Sequence, residues 1–532
     1  MNPGRFDGGI SVIESHGAAH RRERKKAGNP DLSGALERTR LRTESSSALE
    51  SDGVPPRPQL GQSGRTLAPS FDTRHARRQF FPQGGPSMSD TPASGYMRRL
   101  TSWDAAMIVV GGIIGGGIFL NPGIAAQRTE SGLALLLVWV GAGVLTLIGA
   151  LCYAELGARR PHAGGSYVYL REAFGSLAGF LFGWTMLLVI YSGSAAAVAT
   201  IFASYASGVF GLPPGTIKPL AAGALVFVAG INLFGLKLGA QVQNLFTLLK
   251  LLAVAVLVVC GLFLAGADGA GVLASDPARG DVGFIGAALP VLFAYSGFTY
   301  LNNLAGEVRE PQRTLPRALF FGMLAVIVVY ALVNVAYLAV LGHDGLARSN
   351  TPAADVMSRV FGPIGAKVIA IGIAVSTLGF CNITLVAGAR VLQVMGDDGL
   401  FFRNVARLHP RHRTPNVALL LLSGWAVFLA MAFNFGQLLD YATFGDWLAC
   451  AVGVVTIFWY RSRDKGGADF RVPGYPVLPL IFVGVVGWIV VATLLAKPIQ
   501  ACIVLAVMAV GIPVFHVWRR MFPASALPSR SP

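Results

Sequence analysis

The sequence predicts an all-α polytopic membrane protein of twelve transmembrane helices, the first and sixth of them broken. Three observations lead there. Of 532 residues, 53% are hydrophobic and only 13% charged, with a mean hydropathy of +0.58, a balance far from that of a soluble globule. Twelve apolar segments follow one another after residue 98. Two of them, five apart in order, carry helix-breaking residues near mid-depth.

Residues 1–97 come first and read differently. They are rich in Arg, Ser, Gly and Pro ("RRERKK", "VPPRPQLGQSG"), show no sustained periodicity and contain no signal-peptide core. Residues 1–99 hold 16 Lys/Arg against 10 Asp/Glu. A disordered basic extension is expected here. Met88 or Met97 would make an ordinary translational start, which would place residues 1–87 upstream of the natural protein. Residues 98–520 form the expected membrane domain, and 521–532 a short tail.

The apolar segments span approximately 102–126, 131–157, 176–209, 216–234, 239–266, 283–306, 316–342, 358–394, 415–434, 437–460, 476–496 and 499–518. Most reach the roughly 20 residues that cross ~30 Å of hydrocarbon. Backbone groups in lipid must be satisfied internally, so helices are expected and not an open sheet. With the N-terminus in the cytoplasm, inside loops carry 15 Lys/Arg and outside loops 5. This bias puts both termini inside. The formal charge of +16 therefore reads as basic cytoplasmic loops, and no nucleic-acid partner is expected. The five cysteines (Cys152, Cys260, Cys381, Cys450, Cys502) all lie in apolar segments, so neither a metal site nor a covalently linked partner subunit is expected. No Walker motif, serine elbow or zinc signature appears in the membrane part, and no cofactor is expected. This argues against an ATP-driven pump or an enzyme.

Segment 1 contains "GGIIGGGIFLNPG" (111–123). Each glycine costs a helix about 1 kcal/mol relative to alanine. Gly111 and Gly115 have the spacing of a small-residue packing face. The triplet Gly115-Gly116-Gly117 and the following Asn121-Pro122 instead favour an unwound stretch, with Asn-Pro-Gly closing the outer half-helix. Segment 6 carries Pro290 and Ser296-Gly297 near its middle. An offset of five inverts the second copy, which is the layout of carriers built from two inverted five-helix repeats with substrate at the breaks. Half-helix N-termini suit a carboxylate, and free carbonyls at a C-terminal end suit an ammonium group.

On these residues the chain resembles the amino acid–polyamine–organocation superfamily of LeuT-like fold. "GGIIGGGIF" is similar to its first-helix motif. "FAYSGFTYLNNLAGEVREPQRTLPRAL" is similar to its sixth helix and the loop after it, and "LCYAELGARRPHAGGSYVYLREAFG" to the end of its second helix. The tail "FGDWLACAVGVVTIFWYRSRD…FRVPGYPVLPL" most resembles the L-type amino-acid transporter branch. The resemblance covers about residues 100–518. It implies amino-acid transport, with the α-carboxylate on Ile113, Gly115, Gly116 and Gly117. It places the α-amino group between that stretch and Phe293, Ala294 and Ser296, with Phe293 as the gating aromatic. Thr299, one turn beyond Ser296, would line the side-chain pocket. Gly116 departs from the commoner Gly-Ser-Gly and loses a hydroxyl, so amides alone must hold the carboxylate. Ser296 stands where many relatives keep glycine, which narrows the pocket.

Lys250 lies about eleven residues into segment 5, about 16 Å along a helix, near mid-membrane. Snorkelling is strained at that depth, so a functional role is expected. The resemblance implies that its ammonium replaces a coupling cation and links the first break to the eighth helix, with Ser376 or Thr377 as partners. Glu155 is expected in structural ion pairs, and Glu307, Arg309 and Glu310 in an inside gate or in salt bridges. Asp446 reads as either a helix cap or a pocket-facing acid. His409 and His412 read as solvated.

The function expected is secondary transport of amino acids, with neutral side chains, by Na⁺-independent exchange or uptake across the cell membrane. Proton symport, a cationic amino-acid or polyamine carrier, and a channel-like or sensing protein are the rivals.

Overall fold

The computed structural model describes residues 96–264, 284–463 and 469–522. The extension expected to be disordered lies outside the described residues up to position 95. Ten helices among the described residues are long and apolar enough to cross a membrane, and the shorter Asn416–Ala432 and a sixth element in two pieces bring the elements to twelve. α1 (Ser102–Ala126) has an inner half, Ser102–Ile113, and an outer half, Gly117–Ala126. α2 (Gly132–Arg159), α3 (Ser176–Phe210), α4 (Pro214–Leu233) and α5 (Leu238–Phe263) complete the first repeat. α6 is again two pieces, Phe284–Tyr295 and Tyr300–Asn303. α7 (Pro311–Arg348), α8 (Pro352–Asp397), α9 (Asn416–Ala432) and α10 (Phe435–Arg463) complete the second repeat. α11 (Val477–Ala496) and α12 (Pro498–Met521) follow.

The five-plus-five relation is visible in the packing. The outer half of α1 lies on the first piece of α6, α2 on α7, α3 on α8 and α4 on α9. Four of the five helices of the first repeat thus meet their counterparts five places on, as expected of two inverted repeats. α12 rests on α3 and α10, and α11 on α10 and α2, outside the ten-helix core.

Several boundaries run past the apolar segments. α7 begins at Pro311, where proline suits the first helical turn. It bends at Gly342 (φ 67°), and α8 bends at Gly362 (φ 61°), backbone angles that favour glycine. α7 continues past Gly342 as the polar stretch 343–348, and α8 starts with a separate piece, 352–361, ahead of Gly362. Hydropathy reports what lipid touches, and helicity extends further.

Buried ion pairs hold the helix ends. The Glu155 carboxylate accepts from Arg159 at 2.9 Å, from Arg461 at 2.5 and 2.9 Å, and from the Val472 amide at 2.7 Å. It thereby ties α2 to α10 and to the segment entering α11. The structural role expected of Glu155 fits this placement. Removing one member of such a buried cluster costs about 3–5 kcal/mol, because the remaining charges are stranded. Glu155→Ala is therefore expected to lower the thermal midpoint of the purified protein in detergent; an unchanged midpoint would show that the cluster contributes nothing.

Glu307 pairs with Arg390 of α8 at 2.8 Å, with both side chains buried. The Glu307 carbonyl accepts from the amides of Arg99 and Leu100, and Leu100 returns its own carbonyl to the Arg309 amide. The chain entering α1 is thus bonded to the chain leaving α6. Arg309 and Glu310 are exposed. His409 is part-buried, and its Nδ1 accepts from the amides of Arg411 and His412. It orders that loop and is not simply solvated.

Candidate substrate site

The two breaks lie against each other. α1 unwinds at Ile114, Gly115 and Gly116, and α6 unwinds from Ser296 to Thr299. A Cβ on Gly117 would stand 2.9 Å from both Cα and Cβ of Ala294. Gly297 adopts φ 102°, and a side chain there would strike the Gly112 carbonyl. Glycine is needed at both points, at one for close approach and at the other for backbone angle as well.

The outer half of α1 starts at Gly117. Among the described residues, the amides of Gly115, Gly116, Gly117 and Ile118 donate to no backbone carbonyl. They are the free first-turn amides of a helix, at its positive dipole end. Gly116 has a local reason beyond this. A Cβ there would meet Ile201 Cδ1 at 2.5 Å and Thr377 Cγ2 at 3.3 Å, so a serine would have to displace the α3 side chain.

Asn121, Pro122 and Gly123 do not close the outer half-helix, as the sequence suggested. All three lie inside it, and the helix continues to Ala126. Pro122 is past the first turn and leaves the Ile118 carbonyl without its helical amide, and the Tyr337 hydroxyl donates to that carbonyl instead at 3.3 Å. Asn121 is fully buried and donates to the Pro290 carbonyl at 2.5 Å, binding the outer half of α1 to the first piece of α6.

The inner half of α1 ends in carbonyls, and these have cations or hydroxyls on them. Lys250 is fully buried. Its Nζ donates to the Gly111 carbonyl at 2.9 Å and to the Ile114 carbonyl at 2.5 Å. A positive charge at the negative end of a half-helix is electrostatically favourable. Ser376 and Thr377 are both buried on α8, yet neither bonds to Lys250. Thr377 donates to the Ala374 carbonyl at 2.7 Å, and the Ser376 hydroxyl has no partner among the described residues.

Sequence reasoning missed Tyr330 of α7. Its hydroxyl lies 2.9 Å from the Ala294 carbonyl and 3.1 Å from the Ile113 carbonyl, so one oxygen spans both breaks. Trp139 and Tyr295 hold the ring, at centroid distances of 5.4 and 5.0 Å. A signal was present: Tyr330, Asn334 and Tyr337 follow one helical face of an otherwise aliphatic stretch. Tyr337 donates to the Ile118 carbonyl at 3.3 Å.

The remaining expected residues are placed as follows. Ile113, Phe293, Ala294, Ser296 and Thr299 are all buried. The Phe293 carbonyl accepts from the Ser296 amide at 3.1 Å, and the Ser296 hydroxyl reaches back to Leu292 at 3.4 Å. Gly115 packs under the Phe380 ring, 2.9 Å from where its Cβ would be. A cavity of about 240 Å³, lined by Leu120, Thr200, Ile201, Ser204 and Tyr205, lies beside the outer half of α1. Ile201 lines this cavity and also packs against Gly116.

Paired broken helices, with amides free on one half and carbonyls held by side chains on the other, define a secondary carrier of inverted-repeat type. The profile of the amino acid permease family matches residues 100–527, and the chain belongs to that family. It is 30% identical to the serine/threonine exchanger SteT of Bacillus subtilis, over 80% of this chain and 98% of that protein. It is 32% identical to the human b(0,+)-type amino acid transporter 1, over 74% of this chain and 81% of that protein. It is also 32% identical to the human large neutral amino acids transporter small subunit 2, over 78% and 79% of the two chains. It is an integral membrane protein of a transport family and not an enzyme.

Proposed function

We infer that the chain is a secondary transporter that exchanges amino acids across the cell membrane by alternating access, without Na⁺. The observation that carries this is the pair of half-helix ends at the α1 break. Free amides from Gly115 to Ile118 suit an α-carboxylate, while the Lys250 ammonium already occupies the carbonyl end where a coupling cation would sit. The α-amino group is read between the α1 break and the α6 stretch Phe293–Ser296, with Phe293 closing over it. Neutral side chains are read as substrates because residues 113–117 and 293–299 carry no acidic or basic side chain. Loop charge supports both termini inside. The chain is read as working without a disulfide-linked subunit, since Cys152, Cys260, Cys381 and Cys450 are buried and Cys502 sits on α12 within its apolar span.

Uptake of labelled amino acids into proteoliposomes tests this reading. A panel of the standard amino acids is offered outside, with and without unlabelled amino acid inside. Internal substrate is expected to accelerate uptake, and replacing Na⁺ by choline to leave it unchanged. Uptake that requires Na⁺, or that ignores internal substrate, contradicts the exchanger.

A further inference from the structure

A second cavity of about 240 Å³ lies further along the outer half of α1, between Arg128, the first piece of α6, the start of α10 and the turn from α11 into α12. Three charged side chains line it: Arg128, Asp440 and Lys497. All three are part-buried. Lys497 donates to both carboxylate oxygens of Asp440, at 2.7 Å each. Arg128 donates to the Gly286 carbonyl and meets no carboxylate among the described residues. Two cations against one acid leave the cavity with a net positive charge. A guanidinium presents several donors in a planar fork that matches a carboxylate, and on Arg128 most of them are open.

Acceptors line the same space. Thr443, one turn beyond Asp440, and Thr493 of α11 give their hydroxyl protons to the Leu439 and Ile489 carbonyls, at 2.6 and 2.7 Å. Their oxygens remain as acceptors, and the Asp440 carboxylate keeps lone pairs beyond its bonds to Lys497. Donors for a carboxylate and acceptors for an ammonium, in one cavity, suit a zwitterion. The space holds several waters at ~30 Å³ each, or one small amino acid. Arg128 follows Gly117 by eleven residues, about 16 Å further out along a helix, so this cavity stands apart from the free amides at the α1 break. Phe435 lines this cavity and also the one that holds Ile201.

We propose that this cavity is a second amino-acid site, which captures substrate from the outside water before it reaches the α1 break. This rests on the exchanger reading, with both termini inside. The α-carboxylate lies on the Arg128 guanidinium in charge-assisted hydrogen bonds. The α-amino group lies among Asp440, Thr443 and Thr493. The excess positive charge draws the carboxylate in and speeds capture, an effect that salt screens. From there the amino acid passes Phe435 into the cavity beside Ile201. The site acts on substrate arriving from outside and not on substrate arriving from inside.

Two measurements on the full chain test this, both with the neutral amino acid that exchanges fastest. In right-side-out and inside-out membrane vesicles, Arg128→Gln is expected to raise the outside half-saturation concentration at least about fivefold and to leave the inside one in place. The outside value should rise with ionic strength in wild type and lose that dependence in Arg128→Gln. Arg128→Lys, which keeps the charge, should restore part of the affinity, and thermal midpoints show that the variants fold. A mere strut between α1 and α6 would instead shift both sides and carry no salt dependence. Equilibrium dialysis of the purified chain should count two amino acids per chain in wild type and one in Arg128→Gln. The proposal is overturned if Arg128→Gln leaves the outside half-saturation unchanged, if it shifts both sides equally, or if wild type binds a single amino acid at concentrations that saturate exchange from outside. Absence of any exchange by wild type overturns the exchanger reading instead, and the dialysis count then still decides the second site.

Discussion

Gly117→Leu is expected to abolish amino-acid binding. The Cβ alone would lie 2.9 Å from the Cα and Cβ of Ala294, closer than real side chains pack. Three further carbons must then enter the space in front of the free amides of Gly115 to Ile118. Overpacking a tight interior costs about 1–3 kcal/mol, and here the strain falls where the two breaks meet. The protein is expected to survive this, since the breaks are a small part of a ten-helix core. Equilibrium binding of labelled substrate to the purified variant should fall by two orders of magnitude or more, roughly 2.7 kcal/mol, with the thermal midpoint lowered only modestly. Retained affinity would move the carboxylate site away from the α1 break.

Lys250→Ala should impair transport far more than folding. Its ammonium caps the Gly111 and Ile114 carbonyls, the acceptors left open where the inner half of α1 stops. Deleting it strands two buried acceptors at about 1–3 kcal/mol each, and removes the charge that fixes α1 against α5. Exchange rates in proteoliposomes are expected to drop by about 100-fold or more, the equivalent of ~2.7 kcal/mol on the transport barrier. Near-normal exchange would remove Lys250 from the mechanism.

Much of the fold was legible because lipid imposes simple rules. Twelve apolar runs became twelve helical elements, and the glycine triplet and Ser296-Gly297 marked both breaks to within a residue or two. Composition could not tell where a helix continues beyond lipid, so the outer turns of α7 and α8 were missed. Asn-Pro-Gly was misread because the carbonyl that Pro122 leaves open, that of Ile118, is met by the hydroxyl of Tyr337 from another helix. Lys250 was legible from depth alone, but its partners were not. Which carbonyl a long side chain reaches depends on how three helices stack, and no spacing along one helix reports that. For the same reason Tyr330, remote in sequence from both breaks, escaped notice. Asp446 was visible as an acid in an apolar run, and the structure places it buried inside α10 and not at the start of the helix.

The central claim is that an amino acid's α-carboxylate sits on the α1 amides. A structure of the chain with an amino acid bound tests it most directly. The carboxylate oxygens are expected about 3 Å from the amide nitrogens of the Gly115–Ile118 stretch, with the α-amino group turned toward Phe293–Ser296. A bound amino acid whose carboxylate lies away from those amides would contradict the account.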